Sequence, residues 1–163
     1  MSIGINPFGF SWHLAPGKKF QTPETVLVYS DQGLGGMSRV YNKLYRTRLC
    51  RGKFRDAERP ILINNWEATY FDFDADKITE IASEGKELGM ELFVLDDGWF
   101  GKRDDDLSSL GDWTVDHRKL PEGLNNLAQR ITGMGMQFGL WFEPEMVSPD
   151  SELYRNHPDW CLH

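Results

Sequence analysis

The hydrophobic pattern changes period along the chain, and each change marks a predicted element. Phe8-Gly9-Phe10-Ser11-Trp12-His13-Leu14 alternates large apolar with small or polar residues, which is the period of a strand. Ala15-Pro16-Gly17-Lys18 reads as a turn, and Thr25-Val26-Leu27-Val28-Tyr29 is a second run of β-formers that closes at Ser30-Asp31. The period then lengthens. Met37, Tyr41, Leu44 and Tyr45 recur at three- and four-residue steps and predict a helix over 37–49. Residues 51–60 are charged, carry Gly52 and end at Pro60, as a connector would.

From Ile61 the pattern becomes strand, helix, strand, helix, strand. Ile61-Leu62-Ile63 leads into Asn64-Asn65-Trp66-Glu67, and a helix over 76–88 carries Ile78, Ile81, Ala82 and Leu88 on one side. Asp74 or Asp76 suits its start and Gly89 its end. Leu92-Phe93-Val94-Leu95 runs into Asp96-Asp97-Gly98-Trp99, and a long polar loop follows as far as Pro121. A helix over 122–134 aligns Leu124, Leu127 and Ile131, and a third strand over 136–142 runs into Glu143-Pro144-Glu145. Strands that are apolar throughout, separated by helices, predict a parallel sheet covered on both faces.

The expected fold class is therefore α/β: the first three β/α units of a (β/α)8 barrel, preceded by a remnant of an antiparallel β-sandwich. The expected division is 1–35 for the last strands of the β-domain, 36–60 for a helical linker and 61–163 for the barrel portion. A sheet of three parallel strands exposes two edges, so self-association or pairing with a complementary barrel fragment is expected.

Composition narrows the function. With 40% hydrophobic and 26% charged residues, the 163-residue chain is ordinary globular protein. Its formal net charge of −7 lacks the basic stripe that nucleic acid requires. No run reaches the ~18 apolar residues of a membrane helix, and residues 1–7 lack a secretory pattern, so no membrane partner and a cytoplasmic setting are expected. Cys50 and Cys161 match no metal or redox spacing and read as free thiols. His13, His117, His157 and His163 share no ligand spacing either, so no metal and no cofactor are expected.

Candidate chemistry gathers at the strand ends. Trp66-Glu67, Asp96-Asp97-Gly98-Trp99 and Trp141-Phe142-Glu143-Pro144-Glu145 each follow a strand, and parallel strands bring such clusters to one side of the sheet. A sugar wants flat apolar surface for its C–H face and fixed acceptors for its hydroxyls, and Trp rings with ionised carboxylates supply both. Asp96 and Asp97 are adjacent, so they do not straddle a scissile bond as a catalytic pair must. They suit hydroxyl binding, or else loop capping and pairing with Lys102 or Arg103. Trp66 and Trp141 suit sugar contact, or else a layer of core. Trp99 and Trp113 fit loop packing at least as well, the roles of Glu143 and Glu145 stay open, and Asp104-Asp105-Asp106 reads as a solvated run.

These strings resemble the bacterial α-galactosidases of glycoside hydrolase family 36. The likeness is carried by Leu62-Ile63-Asn64-Asn65-Trp66-Glu67-Ala68, Leu95-Asp96-Asp97-Gly98-Trp99-Phe100, Leu110-Gly111-Asp112-Trp113 and Gly139-Leu140-Trp141-Phe142-Glu143-Pro144-Glu145-Met146. Asn6-Pro7-Phe8 and Phe20-Gln21-Thr22-Pro23-Glu24 resemble the end of the family's β-supersandwich. The resemblance implies retaining hydrolysis of terminal α-galactosyl groups of melibiose and raffinose type. It assigns Trp66, Asp96, Asp97 and Trp141 to the galactose pocket, with the aspartates on the hydroxyls that separate galactose from glucose. It assigns no catalytic residue: the family nucleophile belongs to a Lys-x-Asp motif ending strand four, and Lys102-Arg103-Asp104 lies in the loop after strand two. The chain alone is expected to be inactive, and a non-catalytic sugar-binding piece or one half of a split barrel is the alternative.

Overall fold

A computed structural model describes residues 3–161. The chain divides into two compact units, one up to Glu58 and one from Arg59 onward.

In the first unit the helical period forms α1 (Gly33–Leu44), which runs on into a single π-helical turn over Tyr45–Leu49. Tyr41 and Tyr45 stack with centroids 5.8 Å apart, and the Tyr41 hydroxyl donates to Val26 O at 3.1 Å. The two stretches expected as strands differ from expectation. Residues 8–14 and 25–29 carry no β ladder, and Phe8 and Tyr29 are almost fully exposed. Short alternating runs without neighbouring strands bury too little surface to hold a hairpin. What remains is local: the turn bond from Lys18 N to Ala15 O at 3.0 Å, and the Trp12–Phe20 ring contact at 4.7 Å.

The second unit holds a sheet of β1 (Leu62–Asn64), β2 (Leu92–Leu95) and β3 (Gln137–Leu140), parallel and in sequence order. The short helix α2 (Trp66–Thr69), not expected, follows β1 at once. Helices α3 (Ala75–Glu87) and α4 (Gly123–Gly133) make the two crossovers. Asp74 caps α3, its carboxylate accepting from the backbone of Asp76 and Lys77 at 3.0 and 2.8 Å. Beyond β3 lie α5 (Glu152–Asn156) and a 3-10 turn over Pro158–Trp160.

The core forms where α3 and α4 meet the sheet. Ile78 and Ala82 of α3, Phe93 and Leu95 of β2, and Leu127 and Ile131 of α4 are all buried. Each helix contributes the stripe that its period forecast, except that Leu88, expected on the inner side of α3, is its C-cap residue and is exposed.

The loop after β2 is more than a polar connector. Phe100, Leu110 and Leu120 are buried with the core, and Phe100 bridges Val115. Asp104, Asp105 and Asp106 are exposed, as a solvated run should be, and Asp104 is also ion-paired to Arg118 at 2.9 Å and to Lys119 at 3.3 Å. Arg118 also reaches the buried Asp116 at 2.6 Å. Opposite charges drawn from two parts of one loop fold it back on itself, which the local sequence of like charges conceals.

Two outcomes are expected. Phe93→Ala removes a fully buried ring from the central strand and should cost about 3–5 kcal/mol in denaturant unfolding; a loss below about 1 kcal/mol would place the ring outside the core. The Arg118 guanidinium beside Asp104, helped by Lys119, holds the Asp104 carboxyl below its ordinary value. A lowered carboxyl stabilises the fold above its unfolded value of about 3.9 and loses that effect as pH falls through the folded value. The drop in thermal midpoint caused by Asp104→Asn should therefore be small, complete near about pH 6, and fade below about pH 4. A pH-independent drop contradicts this.

Candidate functional site

The ladder aligns the strand ends. Leu95 pairs with Leu140, so Asp96 and Trp141 each follow one residue later, while β1 ends at Asn64 opposite Val94 and Trp66 opens α2 two residues on. Trp141 N still donates to Leu95 O at 2.9 Å, and beyond it β3 gives way to loop.

Asp96 is the centre of the hydrogen bonding here. Its Oδ2 accepts from Asn64 Nδ2 at 2.5 Å, and its Oδ1 accepts from Asp97 N at 2.7 Å. Its own N–H donates to Asn65 Oδ1 at 2.9 Å. Asn64 Oδ1 in turn accepts from Trp66 N at 3.2 Å, so the end of β1, the start of α2 and the end of β2 form one network. Asn65 is fully buried and also donates to Thr69 Oγ1 at 2.9 Å, which ties α2 to the same point. Each Asp96 oxygen thus bears one short donor and keeps acceptor capacity for another.

Asp97 sits deeper. Its Oδ1 accepts from Arg103 Nε at 2.5 Å, and the two side chains are 8% and 3% exposed. The pairing weighed from sequence as an alternative to hydroxyl binding is therefore present. The chain turns sharply at Gly98, whose φ of +95° suits glycine. A Cβ there would lie 3.0 Å from the Phe71 ring, so the close approach also demands glycine. Lys119 Nζ closes the turn by donating to Gly98 O at 3.1 Å and Arg103 O at 2.8 Å.

The tryptophans divide. Trp66 is half-buried, with its ring against the edges of Tyr70 and Phe71 at 5.2 and 5.1 Å. Trp141 is half-buried and lies nearly parallel to the core ring of Phe100 at 6.4 Å. Trp99 is buried and donates from Nε1 to Trp141 O at 3.0 Å, which is loop packing. Trp113 packs on Phe100 at 4.4 Å.

A cavity of about 750 Å³ lies on the loop side, among residues that include Trp113, Glu145, Tyr154, His157 and Trp160. Trp66, Asp96, Asp97 and Trp141 do not line it. Glu143 is half-buried and outside that lining. His157 stacks on Trp160 at 3.9 Å, while His163 lies outside the described residues. Among the described residues, no cluster of His, Cys, Asp or Glu could hold a metal, and no helix is long and apolar enough to cross a membrane.

Sequence reasoning named the four candidates and weighed Arg103 as an ion-pair partner, but gave no role to Asn64, Asn65 or Lys119. The adjacent asparagines at a strand end were the available signal, since a strand end buried against helices must satisfy such side chains locally. The ion pair of Asp97 has no spacing signature, because it depends on how the loop folds back.

Known proteins agree with this architecture. The sequence pattern of the melibiase family matches residues 19–163. The chain is 71% identical over its whole length to α-galactosidase AgaA of Geobacillus stearothermophilus, and 55% identical to α-galactosidase Mel36A of Lactobacillus acidophilus. It spans 22% of the length of each. The crystal structure of AgaA superposes on 98% of the chain with a TM-score of 0.90, and a variant of AgaA has been solved in complex with raffinose at a TM-score of 0.91. Pattern, identity and superposition converge: the chain belongs to the melibiase family, the α-galactosidases of glycoside hydrolase family 36.

Proposed function

We propose that this chain supplies the galactose-holding strand ends of an α-galactosidase, an enzyme that hydrolyses terminal α-D-galactosyl groups of melibiose- and raffinose-type sugars with retention. In this reading the parallel sheet is the opening portion of a (β/α)8 barrel. Residues 61–163 form that portion, 36–60 link it, and 1–35 come from a β-sandwich. The unpaired outer edges of β1 and β3 support the barrel reading, because full closure alone removes such edges. Two free cysteines support a reducing, cytoplasmic setting.

The observation that carries the proposal is the immobilised Asp96 carboxylate, held from β1 and from the following residue at the end of the central strand, between the strand that leads into Trp66 and the strand that leads into Trp141. A carboxylate already oriented by short donors accepts a sugar hydroxyl without first reorganising, so its charge-assisted bond favours binding. Half-buried Trp rings on either side offer apolar faces to a pyranose ring. Asp96 and Asp97 recognise hydroxyls here rather than acting on the glycosidic bond, since adjacent carboxylates do not flank it.

The test places this chain in AgaA in exchange for its matching segment, which the 71% identity permits. The chimera should hydrolyse p-nitrophenyl α-galactoside, and the 163-residue chain alone should not. Asp96→Asn in the chimera should lower kcat/KM about 10- to 100-fold, the worth of one or two charge-assisted hydrogen bonds. Unchanged kcat/KM in a correctly folded Asp96→Asn chimera would remove Asp96 from substrate binding.

A further inference from the structure

The two oxygens of Asp97 are treated unequally: one is held by a guanidinium and the other has no hydrogen-bond donor among the described residues. Arg103 Nε holds Oδ1 at 2.5 Å, deep enough that both side chains are nearly without solvent. The guanidinium is itself held by further contacts. Nη1 donates to Ser108 O at 2.6 Å, and the Phe71 and Phe100 rings lie on it at 5.7 Å each. Lys119 Nζ donates to the Arg103 carbonyl at 2.8 Å, so the backbone carrying the guanidinium is pinned too.

The other oxygen differs. Among the described residues Asp97 Oδ2 has no hydrogen-bond partner, yet no fully buried side-chain oxygen or nitrogen lacks one. Oδ2 therefore retains some contact with solvent. A buried ion pair is poor value for stability alone, since apolar residues of similar size often do as well. What it does supply is a fixed carboxylate plane, with one oxygen held by the guanidinium and the other without a protein donor.

We propose that Arg103 is a positioning residue for substrate recognition: by holding Asp97 through Oδ1 it orients Oδ2, the oxygen without a protein donor, toward one hydroxyl of the galactose ring. The inference rests on the reading of Asp97 as a hydroxyl-binding residue and adds which oxygen binds and what orients it. A carboxylate free to rotate could serve hydroxyls in several directions; one locked to a guanidinium serves one. Arg103 thereby contributes to discrimination between C4 epimers without touching the sugar. Lysine at this place keeps the charge but loses the planar fork that sets the carboxylate plane.

The AgaA chimera tests it, with free galactose and free glucose as competitive inhibitors of p-nitrophenyl α-galactoside hydrolysis. Arg103→Gln should weaken galactose inhibition about tenfold, narrow the galactose-over-glucose preference, and change KM more than kcat. Arg103→Lys should recover part of the preference. Adding Arg103→Gln to Asp97→Asn should change galactose inhibition little further, because the residue it positions is already lost. Full additivity, or an unchanged preference in folded Arg103→Gln, overturns the proposal. The crystal structure of the unmutated chimera with galactose decides the matter even if Arg103 variants do not fold. A sugar hydroxyl on Oδ2 with Arg103 still on Oδ1 is the expected result. A hydroxyl on Oδ1 with Arg103 displaced defeats the proposal and leaves Asp97 as a sugar ligand; no hydroxyl on Asp97 defeats both.

Discussion

The hydrogen bond from Asn64 to the Asp96 carboxylate is the contact on which the arrangement of the strand ends depends, because it fixes the acceptor in place against the sheet. It joins the end of β1 to the end of β2 across the ladder at 2.5 Å. Asn65, one residue on, holds the Asp96 backbone through its buried amide oxygen. Both contacts exist only because the strands are parallel and in register, which places these residues side by side. The register in turn rests on the packing of α3 and α4 over Phe93 and Leu95. Remove the core and the acceptor loses its orientation.

The second aspartate is held by another means. Asp97 is fixed from the loop after β2, through Arg103, and that loop is itself folded by the ion pairs of Asp104, Asp116, Arg118 and Lys119. Adjacent carboxylates thus report to different parts of the structure, one to the neighbouring strand and one to the loop. Such a division keeps like charges on neighbouring residues from competing for one partner, since each has its own donor.

Much of this was legible in the sequence where the physics is local. The stripe Ile78–Ala82 and the cap at Asp74 placed α3 within a residue, and the apolar run 92–95 placed β2. Strand ends carrying Trp66, Asp96 and Trp141 followed from the parallel pattern alone. What stayed hidden was non-local. The run Asp104-Asp105-Asp106 is exposed as read, but the ion pairs of Asp104 to Arg118 and Lys119 depend on how the loop folds back, and the sequence offered Arg103 as a partner without choosing between Asp96 and Asp97. The alternating run 8–14 had the right period for a strand but no partner to pair with, and period without a partner does not make a sheet. Helix α2 was missed because four residues carry too little periodicity to read.

The central claim is that the three strand ends act together as one sugar-binding rim. Hydrogen–deuterium exchange of the AgaA chimera, with and without galactose, tests it most directly. The account predicts that galactose slows exchange concurrently in residues 64–67, 96–100 and 141–143, while α1 is unaffected. Slowing confined to one of these segments, or found instead around Tyr154 and Trp160, would contradict it.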